Sequence, residues 1–163
     1  EGFHGCTGYG NRLLGLATVF LYSVMTPRAF LIDWPGPDET QLSRFFSPQE
    51  GPYGIQWGWR PELESRFKGE GTLRLDDRLQ RSAMRRAFRT ANLTELHPQA
   101  LVFITCNEAF LVDLFANHLY REFFEGEMAI PHVDAVYATM MRHLFTPQGA
   151  LLEALHPVDP EHI

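Results

Sequence analysis

The segment NRLLGLATVFLYSVMTP at residues 11–27 restricts the fold more than any other part of the chain. Leu13, Leu14, Leu16, Val19, Phe20, Leu21, Val24 and Met25 recur at helical spacing and leave no broad polar face. A helix apolar on nearly all sides has to be covered on most sides, so it belongs between a sheet and other helices. Asn11 is the expected N-cap, its side-chain oxygen accepting from amides two or three residues on. The helix is expected to run to about Thr26, where Pro27 ends it. Gly15, Thr18, Tyr22 and Ser23 interrupt the apolar run, which falls short of the roughly 20 residues needed to cross a bilayer. Neither a secretory segment nor a membrane anchor is read in these residues.

Strand and helix then alternate. Ala29–Asp33 and Leu101–Cys106 are short apolar runs bounded by loop residues, the pattern of buried strands, and Tyr53–Trp57 is a weaker strand candidate. A helix is expected over Asp77–Thr90, carrying Arg78, Arg81, Arg85, Arg86 and Arg89, with Leu79, Ala83, Met84, Ala87 and Phe88 as its apolar positions. Helical spacing returns over Glu108–Phe124, His132–Leu144 and, briefly, Gln148–Leu155, with Gly126 and Pro131 as breaks. The stretch from Trp34 to Gly58, rich in Pro and Gly, reads as a long loop. The pattern predicts one α/β domain over residues 1–163, a three-layer arrangement with added helices near the C-terminus. A formal charge of -6, from 14 basic and 20 acidic residues, provides no chain-wide field for a polyanion, which argues against a nucleic-acid partner.

Four glycines, Gly2, Gly5, Gly8 and Gly10, stand just ahead of the apolar helix. Backbone without Cβ curls tightly and presents its amides, and the first amides and dipole of a helix favour an anion there, most often phosphate. Arg12 falls in the first turn, where a cation is out of place unless an anion or a carboxylate offsets it. The spacing excludes two common devices: three residues after Gly10 stands Leu13 rather than glycine, and no Gly-Lys-Ser/Thr follows. A glycine turn with an Asn cap and nothing bound is the competing reading.

The stretch GYGNRLLGLATVFLYSVMTPRAFLIDW at residues 8–34 resembles the first motif of the GDP-fucose-dependent fucosyltransferases of the plant xyloglucan type, with glycine turn, Asn-Arg, Leu-rich helix and Leu-Ile-Asp strand in order. LVFITCNEAFLVDLFANHLYREFF and YATMMRHLFTPQGALLEAL are similar to later segments of that family, whereas Gly36 to Gln99 does not align. The resemblance implies the Rossmann-like N-terminal half of a two-domain GT-B glycosyltransferase. Such an enzyme transfers fucose from GDP-fucose to a glycan hydroxyl with inversion, with no cofactor and no metal. By resemblance Gly8, Tyr9, Gly10, Asn11 and Arg12 sit against the donor diphosphate. The family's His-x-Arg stretch, whose arginine contacts that diphosphate, does not occur here, and no catalytic residue is assigned. The expected partners are nucleotide sugar, glycan acceptor and the C-terminal half of the same enzyme, without which this piece is expected to be inactive. The implied location is the lumenal side of the Golgi membrane.

His4, Asp33 and Trp34 are the acceptor-side candidates. His4 flanks the glycine turn, and Asp33 lies at the carboxyl end of a predicted parallel strand, where α/β folds open their ligand crevice. Trp34, Trp57 and Trp59 offer flat faces to a sugar ring or fill core. Arg12 has an alternative partner in Asp33, and Asp33 an alternative task in capping the following loop. Cys6 and Cys106 both fall just past predicted strand ends; they are either bridged or two unlinked thiols. The seven histidines show no zinc-site spacing, so no metal is expected. Two other functions stay open: a non-catalytic sugar- or protein-binding α/β domain, and a glycosyltransferase using another nucleotide sugar.

Overall fold

The computed structural model describes residues 8–34, 41–50, 55–66, 71–127, 132–149 and 151. The long apolar helix, α1, spans Tyr9–Met25 and follows Gly8, with no side-chain cap. Asn11 therefore lies inside the first turn instead of capping it, and its amide donates to the Gly8 carbonyl at 3.0 Å. The helix starts earlier because Tyr9 is anchored: its ring packs on Trp34 and Phe45, 5.2 Å away in each case. At the other end Thr26 donates its hydroxyl back to the Tyr22 carbonyl at 2.8 Å, and Pro27 cannot continue the ladder.

Residues 29–34 follow as extended backbone, but among the described residues they form only one parallel bridge, Ile32 to Gly58. The expected Pro/Gly loop that comes next contains a 3-10 turn, Leu42–Arg44, and a short strand, β1, Phe46–Pro48. A short helix, α2, covers Pro61–Arg66. Strand β2, Thr72–Asp76, leads directly into α3, Asp77–Thr90, at the expected bounds, and α4, Leu93–Leu96, precedes β3, Leu101–Thr105. Strands β2 and β3 pair in parallel from Thr72 opposite Leu101 to Asp76 opposite Thr105.

The predicted helix over Glu108–Phe124 is broken into α5, Leu111–Phe115, a 3-10 turn, His118–Tyr120, and a π turn, Phe123–Glu127. The break has a chemical cause in Asn117, which is fully buried. Its amide donates to the carbonyls of Phe88 and Ala91, each at 2.9 Å, so it closes the C-terminus of α3 rather than continuing a helix of its own. Helix α6, Val133–Leu144, runs into β4, Phe145–Pro147, which pairs antiparallel with β1, Phe46 opposite Pro147. The chain is thus a mixed α/β fold. Among the described residues no helix is long and apolar enough to cross a membrane.

The core lies around α1, which packs on α5 and α6 and buries most of its residues from Gly15 to Met25. Thr18 joins it to the loop before α5, accepting from the Phe110 amide at 3.0 Å while donating to the Leu14 carbonyl at 3.1 Å. The arginines of α3 also serve the fold: Arg81 pairs with Glu108 at 2.8 Å and Arg85 with the buried carboxylate of Asp113 at 3.1 Å.

The tightest approach is at Gly15. A Cβ there would fall inside hard contact with the carbonyl oxygen and carbon of Cys106, just past β3. Only glycine lets the helix axis come this close to strand backbone. Gly15→Ala should therefore destabilise the fold by about 2 kcal/mol, although alanine in an open helix position would gain about 1 kcal/mol. Urea denaturation measures the difference, and unchanged or raised stability would contradict the contact.

Candidate functional site

A cavity of about 840 Å³ lies beneath α1, with residues 29–34 along one wall and residues 100–107 along the other. This volume is in the range of small-molecule sites. Both walls run in the same direction. Trp34, at the carboxyl end of one, lies under Arg12, whose guanidinium carbon is 3.8 Å from the ring centroid. Cys106, at the carboxyl end of the other, meets Gly15. The amino-terminal half of α1 thus overhangs the carboxyl ends of both walls, where α/β folds place their ligands.

The helix start at this mouth is open. Gly8, Gly10 and Asn11 are exposed. Among the described residues, a Cβ on Gly8 or Gly10 would meet nothing within 4 Å, so packing against them does not require glycine at either position. Among the described residues no side chain caps the helix, and its first turn, with the Tyr9 and Gly10 amides, carries the positive end of the helix dipole. Tyr9 and Trp34 form an aromatic platform under Arg12. Burial pushes the Tyr9 hydroxyl pKa up, with Arg12 opposing, so Tyr9 stays protonated.

Of the expected site residues, the structure gathers Gly8, Tyr9, Gly10, Arg12, Asp33 and Trp34 near one rim. Asp33 is exposed, and the ion pairs among the described residues do not include one between Arg12 and Asp33. Trp57 is core: it is buried, meets Phe145 edge-on at 5.6 Å, and donates its indole N–H to the Leu144 carbonyl at 2.8 Å. Trp59 lines the cavity, edge-on to Phe103 at 5.2 Å. His4 and Cys6 lie outside the described residues. The Cys106 thiol donates to the Glu108 carbonyl at 3.1 Å, and burial pushes its pKa up to about 12, so it is no nucleophile at neutral pH.

Sequence reasoning missed the acidic corner opposite α1. Asp76 ends β2 and caps α3, accepting from the Arg78 amide at 2.9 Å, and the Arg78 side chain binds the same carboxylate and holds its pKa down. Buried Asp77 accepts from the Asn107 amide at 2.6 Å, which fixes the turn leaving β3. The alternation Thr72-Leu-Arg-Leu ending in the capping acid Asp76 carried the signal.

The far end of the cavity is closed by Arg28. Its guanidinium donates to the Gln99 carbonyl at 2.5 Å and to the His97 carbonyl, tying the start of one wall to the start of the other. His97 is buried with Nδ1 2.9 Å from the Tyr22 hydroxyl. Burial and the Arg28 charge both hold its pKa below the ordinary 6.5, so the ring is neutral in the folded protein.

No protein-family model matches the chain, and no curated protein matches it either.

The His97 environment fixes the sign of a pH dependence. Below pH 6.5 the unfolded chain takes up a proton that folded His97 resists, so stability present above that pH is lost as pH falls toward the lowered value. Melting temperature should drop between about pH 7.5 and 5.5, and His97→Gln should flatten that drop. An equal slope in both proteins would contradict the assignment.

Proposed function

We propose that this chain is the Rossmann-like N-terminal half of a GT-B fucosyltransferase, which moves fucose from GDP-fucose to a glycan hydroxyl with inversion. The observation that carries the reading is the uncapped start of α1, placed with Arg12 at the mouth of the cavity and at the carboxyl ends of its walls. An uncapped helix start of this kind is a natural seat for a diphosphate. The similarity of residues 8–34 to the fucosyltransferase motif supports the same assignment. A lumenal Golgi setting belongs to the proposal.

In this mechanism the Tyr9 and Gly10 amides donate to the donor diphosphate and Arg12 adds a full positive charge. As the bond from the anomeric carbon to the diphosphate oxygen breaks, its electron pair settles on the leaving group. Donors already aimed at that oxygen stabilise the charge without reorganising. The acceptor hydroxyl oxygen attacks the anomeric carbon from the opposite face, which inverts the configuration, and its proton is released to water as the new C–O bond forms. Asp33, exposed at the same rim, accepts from a sugar hydroxyl and orients it, while Trp34 supplies an apolar face.

The test uses the full-length protein that contains this chain. Arg12→Ala should lower kcat/KM for transfer from GDP-fucose by about 10²–10³-fold, with partial recovery in Arg12→Lys. Gly10→Ala separates binding from folding: it should raise thermal stability by up to about 1 kcal/mol and weaken GDP binding, because the new methyl group fills open space in front of the amides. Wild-type turnover in Arg12→Ala would refute the assignment. The 163-residue chain assayed alone should not turn over, and robust transfer by it would refute the half-enzyme reading.

A further inference from the structure

Asn92-Leu93-Thr94 is the one Asn-x-Ser/Thr triplet in the sequence, with x other than proline, which is the acceptor pattern for an N-linked oligosaccharide. Such a short pattern recurs by chance, and what the fold does with it decides its meaning. Asn92 and Thr94 are exposed, whereas Leu93 between them is fully buried. The Leu93 amide donates to the Tyr120 hydroxyl at 2.9 Å, so the middle residue anchors the triplet and the two recognition side chains stay at the surface. Asn92 is extended backbone in the connection from α3 to α4. It caps α4 through Oδ1, which accepts from the Glu95 amide at 3.4 Å. An N-linked sugar is carried by the other amide atom, Nδ2, and leaves Oδ1 a carbonyl oxygen, so cap and glycan are compatible.

The fold also sets where this site lies. Strands β2 and β3 are parallel with Thr72 beside Leu101, so the chain leaving Asp76 has to return to the amino end of the pair before β3 begins. The 14 residues of α3 make that return, with a length of about 21 Å against about 17 Å for a five-residue strand. Asn92, just past the end of α3, is therefore at the amino end, where Arg28 binds the His97 and Gln99 carbonyls. The candidate mouth at Arg12 and Trp34 is at the carboxyl end, clear of a glycan on Asn92. Exposed Leu96 stands four residues along from Asn92, and the turn carrying exposed Leu119 is tied to the same segment through Asn117 and Tyr120. An oligosaccharide here would stand over apolar surface that otherwise meets water.

We propose that Asn92 is an N-glycosylation site. The co-reactant is an oligosaccharide carried on a lipid diphosphate. Nδ2 bonds to the anomeric carbon and gives up one proton, while the bond from that carbon to the diphosphate oxygen breaks and its electron pair leaves with the lipid diphosphate. The inference rests on the lumenal setting of the proposed function, since the pattern is used in chains that enter the secretory route.

The test is mass spectrometry of the peptide that carries Asn92, from full-length protein made in eukaryotic cells once as encoded and once behind an added secretory leader. Release with peptide-N-glycosidase in heavy-oxygen water should leave a labelled acid at position 92 in both forms. Thr94→Ala should abolish the label and Thr94→Ser should keep it, with Asn92 and its cap intact in each. A label with the added leader alone supports the site and contradicts the lumenal setting. No label even with the added leader, or a label that survives Thr94→Ala, would overturn the proposal and leave the diphosphate reading of the α1 start to its own test.

Discussion

The close approach of α1 to the backbone at Cys106, possible only because residue 15 is glycine, is the constraint on which the rest of the molecule depends. It brings a helix that has almost no polar face down onto the end of β3 while α5 and α6 cover its other sides. Thr18 then supplies the one acceptor that the loop before α5 needs for its Phe110 amide. With the middle of the helix pinned in this way, its first turn has one place to go: above the carboxyl ends of residues 29–34 and β3. A helix packed one residue away from Gly15 would place a side chain against the Cys106 carbonyl, and the contact would open.

The same placement explains how structural and functional demands divide along a single helix. From Gly15 to Met25 nearly every side chain is buried. Gly8, Gly10 and Asn11 are exposed, and this end of the helix is anchored by the Tyr9 ring on Trp34 and Phe45 and by the Arg12 guanidinium on the Trp34 ring. Gly10, inside the first turn, costs helix stability without relieving a contact among the described residues. A residue that is unfavourable for folding and unnecessary for packing is accounted for when something outside the protein approaches it, which is the physical basis for placing a diphosphate there.

Much of the fold was legible in the sequence, and what was missed has specific causes. The bounds of α3 could be read because its arginines and apolar residues recur at helical spacing, although of the apolar positions only Met84 and Phe88 are buried, and β3 because an unbroken apolar run needs little context. The α5 region could not, since helical periodicity carries no trace of Asn117 leaving its own helix to close another. Strand β2 hid in an alternating pattern flanked by glycine, and β1 and β4 are too short to announce themselves without each other. The cap was misread at Asn11 because the anchor that extends the helix to Tyr9 lies 25 and 36 residues away, at Trp34 and Phe45. For the candidate site, the glycine turn, Arg12, Asp33 and Trp34 were visible as separate residues. That Arg12 stacks on Trp34, and that Asp77 fixes the opposite corner, depends on tertiary geometry that spacing does not encode.

The central claim is that the open start of α1 receives the diphosphate of an activated sugar. A crystal structure of the full-length protein with GDP tests it most directly. The account predicts diphosphate oxygens within about 3 Å of the Tyr9 and Gly10 amides, with the Arg12 guanidinium against the same group. A nucleotide bound elsewhere, with those amides still facing solvent, would contradict it.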